Sequence, residues 1–241
     1  MPDSQPTQQD HHQPDGGEHP IDFSMVLASA VHDMKNSLGM LLNSLDDLRT
    51  SHGETLSESR SFNTLQYEAE RVHSDLIQLL GIYRLGEQTL SAHIEEHFVP
   101  DFLSQQLARH QPLLSGHNID YDIDADALNG FFDDDLLTGV LNNTINNAIR
   151  YSHKRLRLTA REEDGYLVIG VEDDGEGYPA HMHKHGPISF KSLDFNTGST
   201  SLGLFFAASV AQLHKNGERQ GYIRVHNGGA LQGGVFEIWL P

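Results

Sequence analysis

The sequence predicts an α+β protein in which a long helical hairpin precedes a mixed unit of helices and strands. Two observations predict this order. Through the first third of the chain, apolar residues recur at steps of three and four, which is typical of amphipathic helices. Further along, segments with strand-like patterns and turn residues alternate with shorter helical patterns. We therefore expect a disordered tail over 1–20, a hairpin over 21–88 and the mixed unit over 89–241.

The composition of the 241 residues excludes several classes of function. Lys and Arg total 16 against 34 for Asp and Glu, a formal net charge of -18 at pH 7. Clustered cations bind nucleic-acid backbones, so we expect no direct contact with nucleic acid. The absence of cysteine excludes disulfides and favours a reducing compartment. No apolar run approaches the roughly 20 residues that span a bilayer, and the polar N-terminus lacks the regions of a signal peptide. We expect a cytoplasmic protein without membrane contact.

The hairpin begins with a helix of about seven turns from Phe23. Its apolar stripe consists of Leu27, Ala30, Val31, Met34, Leu38, Leu41, Leu45 and Leu48. "TSHGETLSES" then contains turn and capping residues around Gly53. A second stripe follows, with the heptad steps of helices that pack side by side: Phe62, Leu65, Ala69, Val72, Leu76, Leu79 and Tyr83. Because a lone hairpin cannot bury both stripes well, we expect a homodimer that forms a four-helix bundle.

One histidine of the first helix, His32, lies away from the apolar stripe. At 100° per residue it is about 150° from the centre of the stripe, so we expect its side chain in solvent, on the same face as Asn36. A neutral imidazole can attack phosphorus, and the carboxylate of Asp33 can orient it and accept its proton. Asn36, one turn further on, could position a water molecule. An ordinary surface histidine remains the alternative on this evidence.

The mixed unit contains a series of predicted helices and strands. A helix is predicted over about Pro100 to His110, a strand in "HNIDYDID", and a helix in "DDDLLTGVLNNTINNAIRYS", whose first acidic residues suit its N-terminal dipole. "KRLRLTAREEDGYLVIGVEDD" predicts a β-hairpin that turns at Asp164-Gly165. "ISFKSLDFNTGSTS" is typical of a loop and "LGLFFAASVAQLH" of a helix. "GYIRVHN" and "GGVFEIWLP" predict two final paired strands.

Three motifs in the mixed unit indicate a nucleotide site. "NNTINN" precedes Arg150 and Tyr151, and its Asn143 and Asn147 lie one helical turn apart, where two amide oxygens could hold a hydrated Mg²⁺. Arg150 could then meet phosphate. Alone, such asparagines are more often solvated surface.

The second motif, "VEDDGEGYP", places Asp173, Gly175 and Gly177 after a strand. Glycines there let the backbone turn sharply and approach a flat ligand, and a buried carboxylate can accept a hydrogen bond from the exocyclic amine of adenine. A simple turn is the alternative. The third motif, "NTGSTSLGLFF", runs from a loop into a helix, whose N-terminal amides favour phosphate.

Together with "HDMKN" around His32, and in this order, these motifs resemble sensor histidine kinases. The resemblance implies a dimerisation hairpin followed by an α/β-sandwich ATP-binding domain of the GHKL (Bergerat-type) superfamily. It implies that His32 accepts the phosphoryl group from ATP, with Asp33 as the adjacent acid/base residue. The implied Mg²⁺ ligands are Asn147 and, assisting it, Asn143. The implied nucleotide-binding residues are Asn143, Asn147, Arg150, Tyr151, Asp173, Gly175, Gly177, Gly198, Thr200, Leu202, Gly203 and Leu204.

The resemblance also implies partners. The homodimer would pass phosphate from His32 to an aspartate of a response-regulator receiver. In families with this motif, the position of Asn36 often orients the water that dephosphorylates the receiver, so we also expect regulator phosphatase activity. Since the sequence contains no recognisable sensor domain, an upstream sensor protein is a further expected partner.

Two serines favour an alternative function. Ser199 and Ser201 stand where the family usually has glycine, and serine resists positive φ and adds bulk where phosphates approach. The alternative is a non-catalytic dimeric histidine phosphotransfer protein with a degenerate ATPase-like domain. The presence of Asn143, Asn147 and Asp173 favours the kinase.

Overall fold

The first half of the hairpin is the helix α1, which spans Phe23–Ser57. The computed structural model describes residues 23–57, 91–182 and 199–241, together with ten separate positions between 62 and 81. The tail predicted over 1–20 lies outside these residues. α1 continues through Gly53, so the prediction of a turn there is wrong. A glycine inside a helix costs only about 1 kcal/mol, which helix-forming neighbours can offset.

Each helix of the hairpin carries two apolar rows that differ in exposure. All ten described positions between 62 and 81 are helical, and Leu45, Phe62 and Ala69 form a small buried cluster. The buried or half-buried row comprises Val31, Leu38, Leu45, Phe62, Ala69 and Leu76. The exposed row comprises Met34, Leu41, Leu48, Leu65, Val72 and Leu79. A single chain therefore leaves six large apolar side chains, at seven-residue spacing, in contact with solvent.

From residue 95 the chain alternates between strands and helices. The elements are β1 (Glu95–Phe98), α2 (Val99–Gly116), β2 (Asp120–Ala125), β3 (Asn129–Phe132), α3 (Asp134–Tyr151), β4 (Arg155–Glu163), β5 (Tyr166–Asp173), α4 (Ser199–Leu213), β6 (Lys215–Asn216), β7 (Arg219–Gln220), β8 (Tyr222–Gly228) and β9 (Gly233–Leu240). A short 3-10 helix, Ala180–Met182, follows β5. No helix in the described part of the chain is both long and apolar enough to cross a membrane.

A five-stranded sheet in the order β2-β4-β5-β9-β8 carries the core of this unit. Only β2 and β4 are parallel. Alternate strand residues such as Leu158, Ile169 and Ile238 are fully buried and pack with α2, α3 and α4 on one face. The predicted strands and final pairing are confirmed, as is the turn at Asp164-Gly165, where both residues have the positive φ of a tight hairpin.

Two local predictions differ from the structure, and two strand pairs were not predicted. α2 extends beyond His110 to Gly116, because the fully buried Leu114 holds its last turn in the core. α4 begins at Ser199, so the last residues of the predicted loop are helical; serine and threonine are common where helices begin. The pairs β1–β3 and β6–β7 were not predicted. Strands of two to four residues are too short for an alternating pattern to show.

The N-terminal end of α3 is held by Asp133. Its Oδ1 accepts the backbone N–H of Leu136 at 2.9 Å, and its Oδ2 accepts that of His93 at 2.7 Å. The backbone N–H of Asp133 donates to Nε2 of His214 at 3.1 Å. Burial lowers the pKa of His214, so its ring is neutral and Nε2 can accept. These bonds fix the helix whose other end lines a pocket.

Candidate functional site

A pocket lies between the C-terminal part of α3, the end of β5 and the turn that follows β5. Its volume is about 390 Å³. The apolar part of its wall includes Ala148, Val171, Pro179 and Met182, and the Asp173 carboxylate lies among them. A pocket of this size, whose wall combines apolar side chains with polar groups, is typical of small-molecule sites.

Asp173, the last residue of β5, contributes a buried carboxylate to the pocket wall. It is 9% exposed. Its Oδ1 accepts the backbone N–H of Gly175 at 2.8 Å and that of Gly234 at 3.2 Å. Burial raises the pKa of Asp173, and these two bonds only partly oppose that effect. Since both bonds use Oδ1, Oδ2 is the atom that a ligand with an N–H donor would meet.

The next residue, Asp174, has a structural role. Its Oδ1 accepts three consecutive backbone N–H groups, from His153 at 2.8 Å and from Lys154 and Arg155 at 3.0 Å. Burial opposes ionisation, but these bonds outweigh it and lower the pKa of Asp174. The carboxylate thus joins the end of β5 to the start of β4. Asp174 is not among the described residues that line the pocket.

Glycines allow the close approach of the pocket's backbone segments. A Cβ at Gly175 would overlap the carbonyl oxygen of Tyr151 at the end of α3. Gly177 has a φ of +79°, in the left-handed region that favours glycine. A Cβ at Gly234 of β9 would lie 2.8 Å from Oδ2 of Asp173. The site therefore needs glycine on the turn and on the neighbouring strand.

The structure brings several predicted site residues into the pocket walls. The predicted residues that line it are Asn147, Arg150, Tyr151, Asp173 and Gly177. Arg150 and Tyr151 are exposed at its edge, and the guanidinium carbon of Arg150 lies 5.2 Å from the centroid of the Tyr151 ring. The predicted amide–carboxylate–glycine set is therefore assembled by α3 and the end of β5.

Other predicted residues lie elsewhere. Asn143 does not line the pocket; its amide packs against Gly203, where a Cβ would overlap the amide nitrogen. Gly203 and Leu204 are buried in α4 and Leu202 is half-buried. Thr200 lies in the first turn of α4, and its side chain, like the whole of Gly198, lies outside the described residues. The roles predicted for this segment stay predictions.

The predicted phosphoacceptor region lies on α1. Asp33, Asn36 and Asn43 are exposed, which for Asn36 agrees with the predicted outward face of the helix. His32 is helical, but its side chain is outside the described residues. The expectation that its ring points into solvent stays a prediction.

Some pocket residues were not predicted. These residues include Thr144, Tyr178, Met182 and Gly234. Thr144 and Tyr178 adjoin the predicted Asn143 and Gly177 in the sequence, whereas Gly234 belongs to β9. The double glycine of "QGGVFEIW" was a usable signal, because glycine inside a strand often marks a close backbone approach.

Comparisons with known proteins agree with this geometry. Residues 132–241 match the family described as histidine kinase-, DNA gyrase B-, and HSP90-like ATPase. The chain is 25% identical over 230 residues to the adaptive-response sensory kinase SasA of Synechocystis sp., covering 90% of this chain and 58% of SasA. It is 25% identical over 224 residues to the sensor histidine kinase CpxA of Escherichia coli, covering 90% of this chain and 46% of CpxA. The chain thus spans about half the length of these curated relatives.

A solved structure shows the same fold. The Acinetobacter baumannii histidine kinase AdeS superposes with a TM-score of 0.57 at 19% identity, covering 87% of this chain and 96% of that one. The likeness confirms the predicted fold class.

Proposed function

We propose that this chain carries the catalytic core of a sensor histidine kinase, and that it transfers the γ-phosphoryl group of ATP to His32 and then to an aspartate of a response-regulator receiver. We further propose that it acts as a cytoplasmic homodimer and receives its signal from an upstream sensor protein. The absence of cysteine supports a reducing compartment.

The observation that carries the proposal is the buried Asp173 carboxylate inside a mostly apolar pocket. The exocyclic amine of adenine can donate to Oδ2, while Oδ1 is already held by two backbone N–H groups. The side chains of Ala148, Val171 and Met182 suit the faces of a purine ring. Burial raises the pKa of Asp173, so keeping its carboxylate ionised costs free energy. Buried groups with a shifted pKa cluster at functional sites, which supports a binding role for this carboxylate.

In the proposed reaction His32 is the nucleophile. A nitrogen of its neutral imidazole forms a bond to the γ-phosphorus as the bond from that phosphorus to the bridging oxygen breaks, and ADP leaves with the electron pair. The neighbouring Asp33 accepts the proton from the other ring nitrogen. When the phosphoryl group passes to the receiver aspartate, the proton returns to the ring and neutral His32 is regenerated.

Asn147 is the residue that would hold Mg²⁺. Its amide lines the pocket, and Mg²⁺ prefers oxygen ligands while keeping several waters. Among the described residues, no group of three or more His, Asp or Glu is placed to hold a metal ion, so the ion would rely on amide and phosphate oxygens. When bound, it neutralises charge on the phosphates. Asn143, one turn before Asn147 on α3, stays a predicted second ligand, and its amide packs against Gly203.

Incubation of the purified protein with γ-labelled ATP and Mg²⁺ tests the proposal. We expect label that is lost in acid and stable in alkali, as a phosphorus–nitrogen bond requires, and we expect it to move to a receiver domain added afterwards. A protein that binds ADP yet never acquires label would contradict the kinase and favour the phosphotransfer alternative.

Dimerisation is proposed from the exposed apolar row of the hairpin. Val72 lies in the centre of that row and is 43% exposed in the single chain. Val72→Asn should therefore break the dimer without opening the hairpin, because the buried row is untouched. Sedimentation at micromolar concentration measures this, with Ser51→Asn, a polar change on the exposed surface of α1, as the matched control. A wild-type chain that sediments as a monomer would contradict the proposal.

Regulator phosphatase activity is proposed for Asn36. This exposed amide lies one helical turn after His32, within reach of a receiver docked there, and an amide can orient water without acting as a nucleophile. Asn36→Ala should slow dephosphorylation of the phosphorylated receiver in the presence of ADP, while labelling of His32 is largely spared. Asn43→Ala, two turns further along, is the control. Equal decay rates with wild type and Asn36→Ala would show that Asn36 has no such role.

A further inference from the structure

The turn that forms one wall of the pocket has no regular secondary structure. Residues 174–179 follow β5 without pairing in a strand, yet Gly177 and Tyr178 line the pocket. Without a strand ladder, the position of this wall depends on bonds from other segments of the chain.

Asn227, near the end of β8, provides these bonds. Its Oδ1 accepts the backbone N–H of Tyr178 at 2.7 Å, and its Nδ2 donates to the carbonyl oxygen of Tyr178 at 3.0 Å. One side-chain amide thus makes the two bonds that a residue of a paired strand would make. The two residues are 49 positions apart in the sequence.

The same amide also packs against Gly177. A Cβ at Gly177 would lie 2.5–2.6 Å from Cγ, Nδ2 and Oδ1 of Asn227. Asn227 is in addition the ladder partner of Gly234, whose backbone N–H donates to Asp173. A single residue therefore connects the wall to the strand that holds the carboxylate.

We propose that Asn227 is a positioning residue of the nucleotide pocket, which holds Gly177 and Tyr178 in the conformation that accepts the adenine ring. Asn227 is not among the described residues that line the pocket. It therefore affects nucleotide binding by holding Gly177 and Tyr178 in place. The inference rests on the proposed nucleotide-binding function.

Asn227→Ala tests this role. Loss of both bonds should weaken ADP binding roughly tenfold, while the melting temperature without nucleotide changes little. In the same nucleotide-free protein, the backbone amide of Tyr178 should exchange with deuterium faster than in wild type. Asn227→Asp keeps an acceptor for that amide and should retain much of its protection. The matched control is Asn129→Ala, whose amide bonds Glu96 on the exposed β1–β3 pair.

The outcomes separate the two claims. If wild-type protein binds no ADP, the proposed function fails. Deuterium exchange at the Tyr178 amide still shows whether Asn227 holds this part of the turn. If Asn227→Ala binds ADP as wild type does, or exchanges at Tyr178 as wild type does, the positioning role is wrong. Two results found together would also overturn it. The first is a large fall in the melting temperature of Asn227→Ala. The second is that Asn227→Asp loses as much affinity for ADP as Asn227→Ala while its Tyr178 amide stays protected from exchange.

Discussion

Replacing Asp173 by asparagine should weaken the binding of ADP and ATP by about thirtyfold while the fold stays intact. The asparagine oxygen can still accept the N–H groups of Gly175 and Gly234, so the local backbone is preserved. The amide nitrogen then replaces Oδ2 as the group that faces the exocyclic amine of adenine. Leaving that donor without an acceptor costs about 2 kcal/mol, which corresponds to the thirtyfold change. Isothermal titration calorimetry measures the affinity directly.

Asp174→Asn is the matched control for this variant. Asp174 accepts three backbone N–H groups just before and at the start of β4, and it is not among the described residues that line the pocket. Its replacement should lower the melting temperature while the folded protein keeps an affinity for ADP close to that of wild type. Equal losses of affinity in the two variants would contradict a specific role for Asp173.

The pH dependence of binding provides a second readout of the same carboxylate. Burial raises the pKa of Asp173, so acid protonates it at a higher pH than an ordinary aspartate. Affinity for ADP should therefore fall as the pH decreases through that raised pKa, since protonation turns the acceptor into a donor. Asp173→Asn should lack this dependence.

Replacing His32 by glutamine should abolish autophosphorylation altogether. Glutamine suits a helix but has no nitrogen able to attack phosphorus, so no phosphorylated intermediate forms. The pocket is made from α3, the end of β5, the segment that follows β5, and β9, and no described residue of α1 lines it. We therefore expect unchanged ADP affinity and unchanged dimerisation in His32→Gln, with labelling from ATP as the only loss.

His93→Gln is the control for His32→Gln. The His93 side chain is 85% exposed, close to Glu95, and has no assigned role in the reaction. The His93→Gln protein should acquire label from ATP as wild type does. Residual labelling of His32→Gln at the wild-type level would show that another residue accepts the phosphoryl group.

The sequence was most informative where a pattern is long and local. The three-and-four spacing predicted α1, and the alternation around Asp164-Gly165 predicted β4, β5 and their turn. Even there, periodicity predicted one apolar stripe per helix. Only the packed hairpin shows that each stripe divides into a buried and an exposed row, because the division depends on where the second helix lies.

Site residues could be predicted only where they belong to one short, continuous segment of the sequence. Asp173 and Gly177 belong to a short motif that has a direct chemical meaning. Gly234 lines the pocket and Asn227 bonds its wall because β9 pairs with β5 and β8 pairs with β9, and no local pattern connects the two residues to Asp173. The displacement of Asn143 from the pocket wall has the same origin, since the packing of α4 against α3 decides which face of the helix is covered.

The central claim, that this pocket supplies phosphate to His32, is tested most directly by locating the phosphoryl group. Wild-type protein incubated with ATP and Mg²⁺, kept at alkaline pH and digested, should show by mass spectrometry one phosphoryl group on the peptide that contains His32. Asp173→Asn should show a much smaller yield at limiting ATP. A phosphoryl group on any other residue, or none in protein that demonstrably binds ATP, would contradict the account.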